Sequence, residues 1–171
     1  EYCGEVVGLD RLLKVYEDKL ESVFACNIKN TGIEAENFSF VSEKRVAPAV
    51  KHARPKVLIP AFPGTNCDYD SAKAWRNAGA EVRMSVFCNL TEDDIFRSIA
   101  EMKKNIDECH ILMLCGGFSA GDEPDGSGKF IANVLNNKDI ADAVHSLIDR
   151  GGLILGICNG FQALVKSGLL P

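Results

Sequence analysis

The chain has 171 residues, 46% of them hydrophobic, which is enough for one α/β-sized core with room for an appendage. A formal charge of −5 without any dense basic patch excludes the usual nucleic-acid binder, and no apolar run approaches the roughly 18 residues of a membrane span. Seven cysteines, an odd number with no C-x-x-C pair, point to free thiols in a reducing compartment rather than to a disulfide framework or a zinc site.

Residues 1–51 differ in pattern from the rest. Leu9, Leu12, Leu13, Tyr16 and Leu20 recur at helical spacing, which predicts one amphipathic helix over roughly 9–23. Its apolar face has no obvious partner within the segment. A weakly patterned polar stretch follows, ending in Lys51-His52-Ala53-Arg54-Pro55, which reads as a linker. The predicted organisation is therefore residues 1–54 as the tail of a preceding domain and 55–171 as a second domain, with the boundary near Arg54.

From Lys56 onward the chain alternates strand and helix. Val57–Ala61 is an apolar strand, Pro63-Gly64-Thr65-Asn66 a turn, and a helix through Trp75 stops at Gly79. Val82, Met84 and Val86 alternate as a second strand, and Thr91 caps a helix striped by Ile95, Ile99, Met102 and Ile106. Ile111–Leu114 is a third strand, ending in Cys115-Gly116-Gly117-Phe118. A Gly-rich loop from Gly121 to Gly128 follows, then helices near 129–136 and 139–149, and Gly151-Gly152 leads into a fourth strand. Repeated β-α units with short apolar strands predict an α/β, doubly wound, mostly parallel sheet with helices on both faces. In such sheets ligand chemistry collects beyond the carboxyl ends of the strands.

That rule directs attention to Leu153-Ile154-Leu155-Gly156-Ile157-Cys158-Asn159-Gly160-Phe161-Gln162. An apolar strand running into Gly-x-Cys-x-Gly and then a short helix has the grammar of a nucleophile elbow, with the reactive side chain on the tight turn. Gly156 and Gly160 are expected where a Cβ would collide with the adjoining backbone. Cys158 would stand at a helix N-terminus, where the dipole favours thiolate. The pentapeptide is equally compatible with a structural cysteine at a strand end. Gly116-Gly117 offers unobstructed backbone N–H groups of the kind an oxyanion hole requires, although a Gly-Gly pair is also an ordinary turn.

Other features carry less. Gly126-Ser127-Gly128-Lys129-Phe130 lacks the G-x-x-x-x-G-K-[ST] frame, and Asp122, Glu123 and Asp125 would repel phosphate. This loop reads as solvated, at the mouth of the site. His52, His110 and His145 are isolated in sequence and read as a linker residue, a strand flank and a helix-surface residue. No grouping has metal-ligand spacing.

With these motifs placed, residues 56–171 resemble the front part of a class I (triad) glutamine amidotransferase domain. Gly156-Ile157-Cys158-Asn159-Gly160-Phe161-Gln162, Gly116-Gly117-Phe118-Ser119-x-Gly121-Asp122 and Pro63-Gly64-Thr65-Asn66-Cys67-Asp68 are together similar to the branch that serves phosphoribosylformylglycinamidine synthase. The resemblance implies a flavodoxin-like fold, C-terminally incomplete, and a cytoplasmic enzyme of purine biosynthesis. It implies that Cys158 attacks the side-chain amide of glutamine, that the N–H groups of Gly117 and Asn159 hold the oxyanion, that Gln162 helps bind substrate and that Phe118 shapes the pocket wall. It further implies that ammonia passes to synthase domains of the same polypeptide, as in the large single-chain form, with residues 1–51 as their end. No cofactor is expected in these residues, and ATP and Mg2+ are expected in the synthase portion. The family's His-x-Glu, downstream of the cysteine, has no counterpart before Pro171, so the sequence is expected to be truncated and inactive alone. Two other readings remain at this point: another Cys-elbow hydrolase or deglycase-like protein, and a non-catalytic glutaminase-like docking module.

Overall fold

The strands are short runs of branched apolar residues, and they assemble into one parallel sheet. In this computed structural model, residue 4 and residues 6–24, 39, 41, 51–121 and 127–170 are described. The chain divides into two compact units, Glu1–Arg45 and Val46–Pro171.

In the first unit, α1 spans Leu9–Glu17 and passes into a 3-10 turn at Asp18–Leu20. The regular helix is thus shorter than the apolar spacing predicts, because its last turn tightens. None of the residues of α1 is buried.

In the second unit, β1 (Lys56–Ala61) is followed by α2 (Asp68–Asn77), β2 (Glu81–Val86), α3 (Glu92–Glu108) and β3 (Ile111–Leu114). Helices α4 (Lys129–Leu135) and α5 (Lys138–Asp149) precede β4 (Leu153–Gly156) and α6 (Asn159–Lys166). The strand order is β2-β1-β3-β4, all parallel, as in the flavodoxin-like arrangement. Every residue of β3 is buried, as expected of a central parallel strand with cover on both faces.

The two faces carry two cores. Leu58, Leu112 and Leu114 pack with Met102 and Ile106 of α3, with α4 and α5, and with Ala163 and Leu164 of α6. On the opposite face Val57, Ile59, Ile111 and Met113 pack with Ala72 and Trp75 of α2. That second layer stops short of β4. Leu153 and Leu155, which alternate onto the α2 side, are 63% and 42% exposed. The expected alternation of β2 holds for Val82 and Met84, which pack against the second core, but Val86 is 68% exposed at the end of the edge strand. Among the described residues no helix is long and apolar enough to cross a membrane.

Local signals end the helices where the sequence suggests. Thr91 and Asp94 form a reciprocal capping box at the start of α3. Arg150 closes the other end of that helix: its Nη2 donates to the carbonyls of Ile106 (2.5 Å) and Cys109 (3.1 Å). The cap leads to a prediction. Thr91→Ala should cost ~1 kcal/mol of unfolding free energy without loss of the fold, measured by urea denaturation. An unchanged midpoint would show that the box contributes nothing to the stability of α3.

Candidate functional site

In a doubly wound sheet the chain leaves the strands in opposite directions at a switch point, here between β1 and β3. The loops after these two strands meet there. Thr65 and Gly117 form an antiparallel bridge, in which Phe118 N–H donates to the Gly64 carbonyl and Asn66 N–H to the Gly116 carbonyl, each at 2.9 Å. Ala120 N–H adds a third tie, to the Pro63 carbonyl at 2.9 Å. The approach requires glycine: Gly117 has φ 129°, and a Cβ there would stand 2.7 Å from the Asn66 nitrogen. The bridge uses the N–H groups of Phe118 and Asn66 and leaves that of Gly117 out of its pair.

The elbow lies beside this loop. Cys158 has φ 50° and ψ −110°, a strained conformation for a residue with a side chain, at the N-cap of α6. It is exposed, and a Cβ on Gly116 would lie 3.4 Å from the Cys158 Cβ. The expected glycine pair is present for the expected reason. A Cβ on Gly156 would come within 2.8 Å of the Gly160 carbonyl, and one on Gly160 would collide with the Leu114 carbonyl oxygen. The start of α6 therefore rests directly on the backbone of β3.

The structure brings Gly117, Cys158, Asn159 and Gln162 to one end of the sheet. Gln162 lies one turn along α6 from the thiol, its N–H donating to the Cys158 carbonyl at 3.0 Å. Asn159 is buried, its amide oxygen accepting from Ser119 N–H and its amide nitrogen donating to Gln162 Oε1, both at 3.4 Å. Phe118 is 66% exposed, so its side chain lies on the rim. Asp122, Glu123 and Asp125, read as a solvated loop, lie outside the described residues.

The histidines are elsewhere. His52 and His110 are not isolated as their sequence positions suggest: their rings stack 3.6 Å apart, and His110 Nδ1 accepts from Lys56 N–H. Burial and the neighbouring cations lower the His110 pKa and favour the neutral ring. This pair borders a cleft of about 750 Å3 lined by Asp107, Arg150 and Leu153 at the amino ends of the strands, the far side of the sheet from Cys158. His145 is exposed on α5. No group of metal-ligating side chains occurs among the described residues.

Sequence reasoning missed two features of the site: the zipping of the two loops and the linkage made by the Asn159 side chain. Neither has a periodic signature. The available hint was a polar residue at the start of an otherwise apolar helix.

Residues 54–171 match the CobB/CobQ-like glutamine amidotransferase domain family. Among curated proteins, the chain is 39% identical over 119 residues to phosphoribosylformylglycinamidine synthase subunit PurQ of Dehalococcoides mccartyi, covering 70% of this chain and 42% of that protein. It is 40% identical over 118 residues to the PurQ subunit of Treponema denticola (69% and 40%) and 39% over 115 residues to that of Methanococcus maripaludis (67% and 39%). The aligned region thus spans about two fifths of these relatives. Among solved structures, PurLQS from Thermotoga maritima matches at 30% identity and a TM-score of 0.49, over 69% of this chain and 46% of that one.

The geometry makes two predictions. Gly160→Ala should destabilise the second unit by ~1–3 kcal/mol or more, because the added methyl meets the backbone of β3 and not a movable side chain. Thermal unfolding at wild-type temperature would contradict the close packing. In the second, limiting iodoacetamide at neutral pH should label Cys158 first and Cys109 and Cys115 last, followed by peptide mapping. Burial raises the Cys109 thiol to about 11 and raises Cys115 as well, so little of the attacking thiolate exists at either. Earlier labelling of the exposed Cys67 or Cys88 would count against the elbow.

Proposed function

We propose that this chain, which belongs to the CobB/CobQ-like glutamine amidotransferase domain family, carries the ammonia-supplying part of phosphoribosylformylglycinamidine synthase. One observation supports this above the others: a thiol on a strained strand-to-helix turn, against a Gly-Gly loop that a backbone bridge ties to the loop after β1.

On this reading Cys158 attacks the side-chain carbonyl carbon of glutamine and forms a C–S bond. The negative charge that develops on the carbonyl oxygen is met by the Gly117 and Asn159 N–H groups, which belong to rigid backbone and need no reorganisation. Collapse breaks the C–N bond, the amide nitrogen leaves as ammonia after taking up a proton, and a glutamyl thioester remains for water to hydrolyse to glutamate. Gln162, one turn along α6 from the thiol, helps bind the glutamine, and Phe118 helps shape the wall around it. The ammonia is used by synthase domains of the same polypeptide, in the cytoplasm, where ATP and Mg2+ serve the amination of formylglycinamide ribonucleotide. The separate unit Glu1–Arg45 is compatible with the end of such a synthase domain.

A non-catalytic docking role is the second reading, favoured by one observation: His52 and His110 stack at the amino ends of the strands, the opposite end of the sheet from the thiol. Without a placed imidazole, proton delivery to the departing ammonia and activation of the deacylating water both suffer. Help of that kind is typically worth ~10²–10⁴-fold. Residues 1–171 alone should therefore show slow acylation and poor turnover, and a longer chain that includes a downstream His-x-Glu should turn over. The measurement is ammonia release from glutamine, with intact-mass detection of the glutamyl adduct and Cys158→Ser as the blank. Multiple-turnover release by residues 1–171 would overturn the assignment of the acid and base. An adduct-free, inactive longer chain would favour the docking reading.

A further inference from the structure

Oxyanion stabilisation needs donors placed to within a few tenths of an ångström, yet here they come from two separate segments. Gly117 follows β3, and Asn159 begins α6. The bridge to Thr65 holds the first loop to the β1 side and not to α6. Among the described residues, a side chain that spans the gap is the amide of Asn159, 1% exposed, with Ser119 on one side and Gln162 on the other.

The polarity of this chain of contacts follows from its first member. Ser119 N–H is backbone and can only donate, so the Asn159 atom facing it must be the oxygen. The Asn159 nitrogen then faces Gln162, and the Gln162 atom facing it must be its oxygen, which leaves the Gln162 –NH2 turned away from Asn159. One obligate backbone donor thereby orients two side-chain amides in succession. At 3.4 Å both contacts are long, so each is weak singly. Burial of Asn159 raises the cost of leaving either side of its amide unpaired.

We propose that the Asn159 side chain is a positioning residue with two effects. It sets the Gly117 loop in register with the thiol, and it turns Gln162 so that a pair of N–H donors is offered to the ligand. The ligand group this suits is an acceptor, a carboxylate or carbonyl oxygen, rather than an ammonium group. The inference rests on the glutamine-site reading given above and assigns the side chain of Asn159 a role apart from its backbone N–H.

The test compares two alkylating reagents on the same thiol, a glutamine-shaped chloroketone and iodoacetamide, and adds hydrogen exchange at the Ser119 amide. Wild type should prefer the chloroketone. Asn159→Ala should lower the chloroketone-to-iodoacetamide rate ratio by at least ~10-fold, as expected for misplacement of about an ångström, and should speed Ser119 exchange. Gln162→Glu keeps the oxygen that faces Asn159 but replaces the offered donors by an acceptor. It should lower the ratio comparably while leaving Ser119 exchange as in wild type, a split that a merely structural role would not produce. Should Asn159→Ala not fold, Gln162→Glu and Asn159→Asp, which retains an acceptor for Ser119, carry the test, the latter with wild-type exchange. An unchanged ratio in Gln162→Glu would overturn the donor assignment. Wild-type Ser119 exchange in Asn159→Ala, or fast exchange in Asn159→Asp, would overturn the clamp. Absence of any chloroketone preference in wild type would fell the glutamine reading and the donor half of the inference, while exchange still decides the clamp.

Discussion

The site depends on one close approach, that of the first turn of α6 to the carbonyl end of β3. Only a hydrogen fits between Gly160 and the Leu114 carbonyl oxygen, and Gly156 has no more room against Gly160 and Leu164. With both positions glycine, α6 settles onto the sheet, and Cys158 must turn through φ 50° to connect β4 with it. The strain at Cys158 is the geometric consequence of the packing beneath it. Side chains that interlock there, Leu164 and Ala163 against the larger core, hold the turn in place.

A second constraint acts from the other side. The loops after β1 and β3 are joined by a backbone bridge at the switch point, and the small residues Gly64 and Gly117 permit it. Backbone hydrogen bonds between loops leave few side-chain degrees of freedom to freeze, so the remaining N–H groups of such loops are fixed in direction. The elbow and the bridged loops are thus two rigid pieces. The amide of Asn159 lies between them.

The opposite end of the sheet has a different character. His52 and His110 stack there beside Arg150, whose guanidinium serves the carbonyls at the end of α3. Cations at a helix C-terminus complement its partial negative charge, and this accounts for Arg150 without a ligand. The α2 layer covers β1 to β3 and leaves the Leu153 and Leu155 side of β4 open, so the two faces of the sheet are unequally protected.

Much of this was legible in the sequence. Apolar runs of strand length, the Thr91 cap and the turn glycines located β1 to β4 and α2 to α6 to within a few residues, because each is a local signal with a local cause. The Gly-x-Cys-x-Gly elbow was legible for the same reason: the glycines are required by atoms only a few residues away or on the neighbouring strand. What the sequence could not specify were contacts between segments distant along the chain. The stacking of His52 on His110, the Thr65–Gly117 bridge and the reach of Asn159 to Ser119 join residues 58, 52 and 40 positions apart. No periodicity encodes such pairs. They form only after the parallel sheet has brought the strand ends together, and it is the tertiary structure that decides which polar groups then meet.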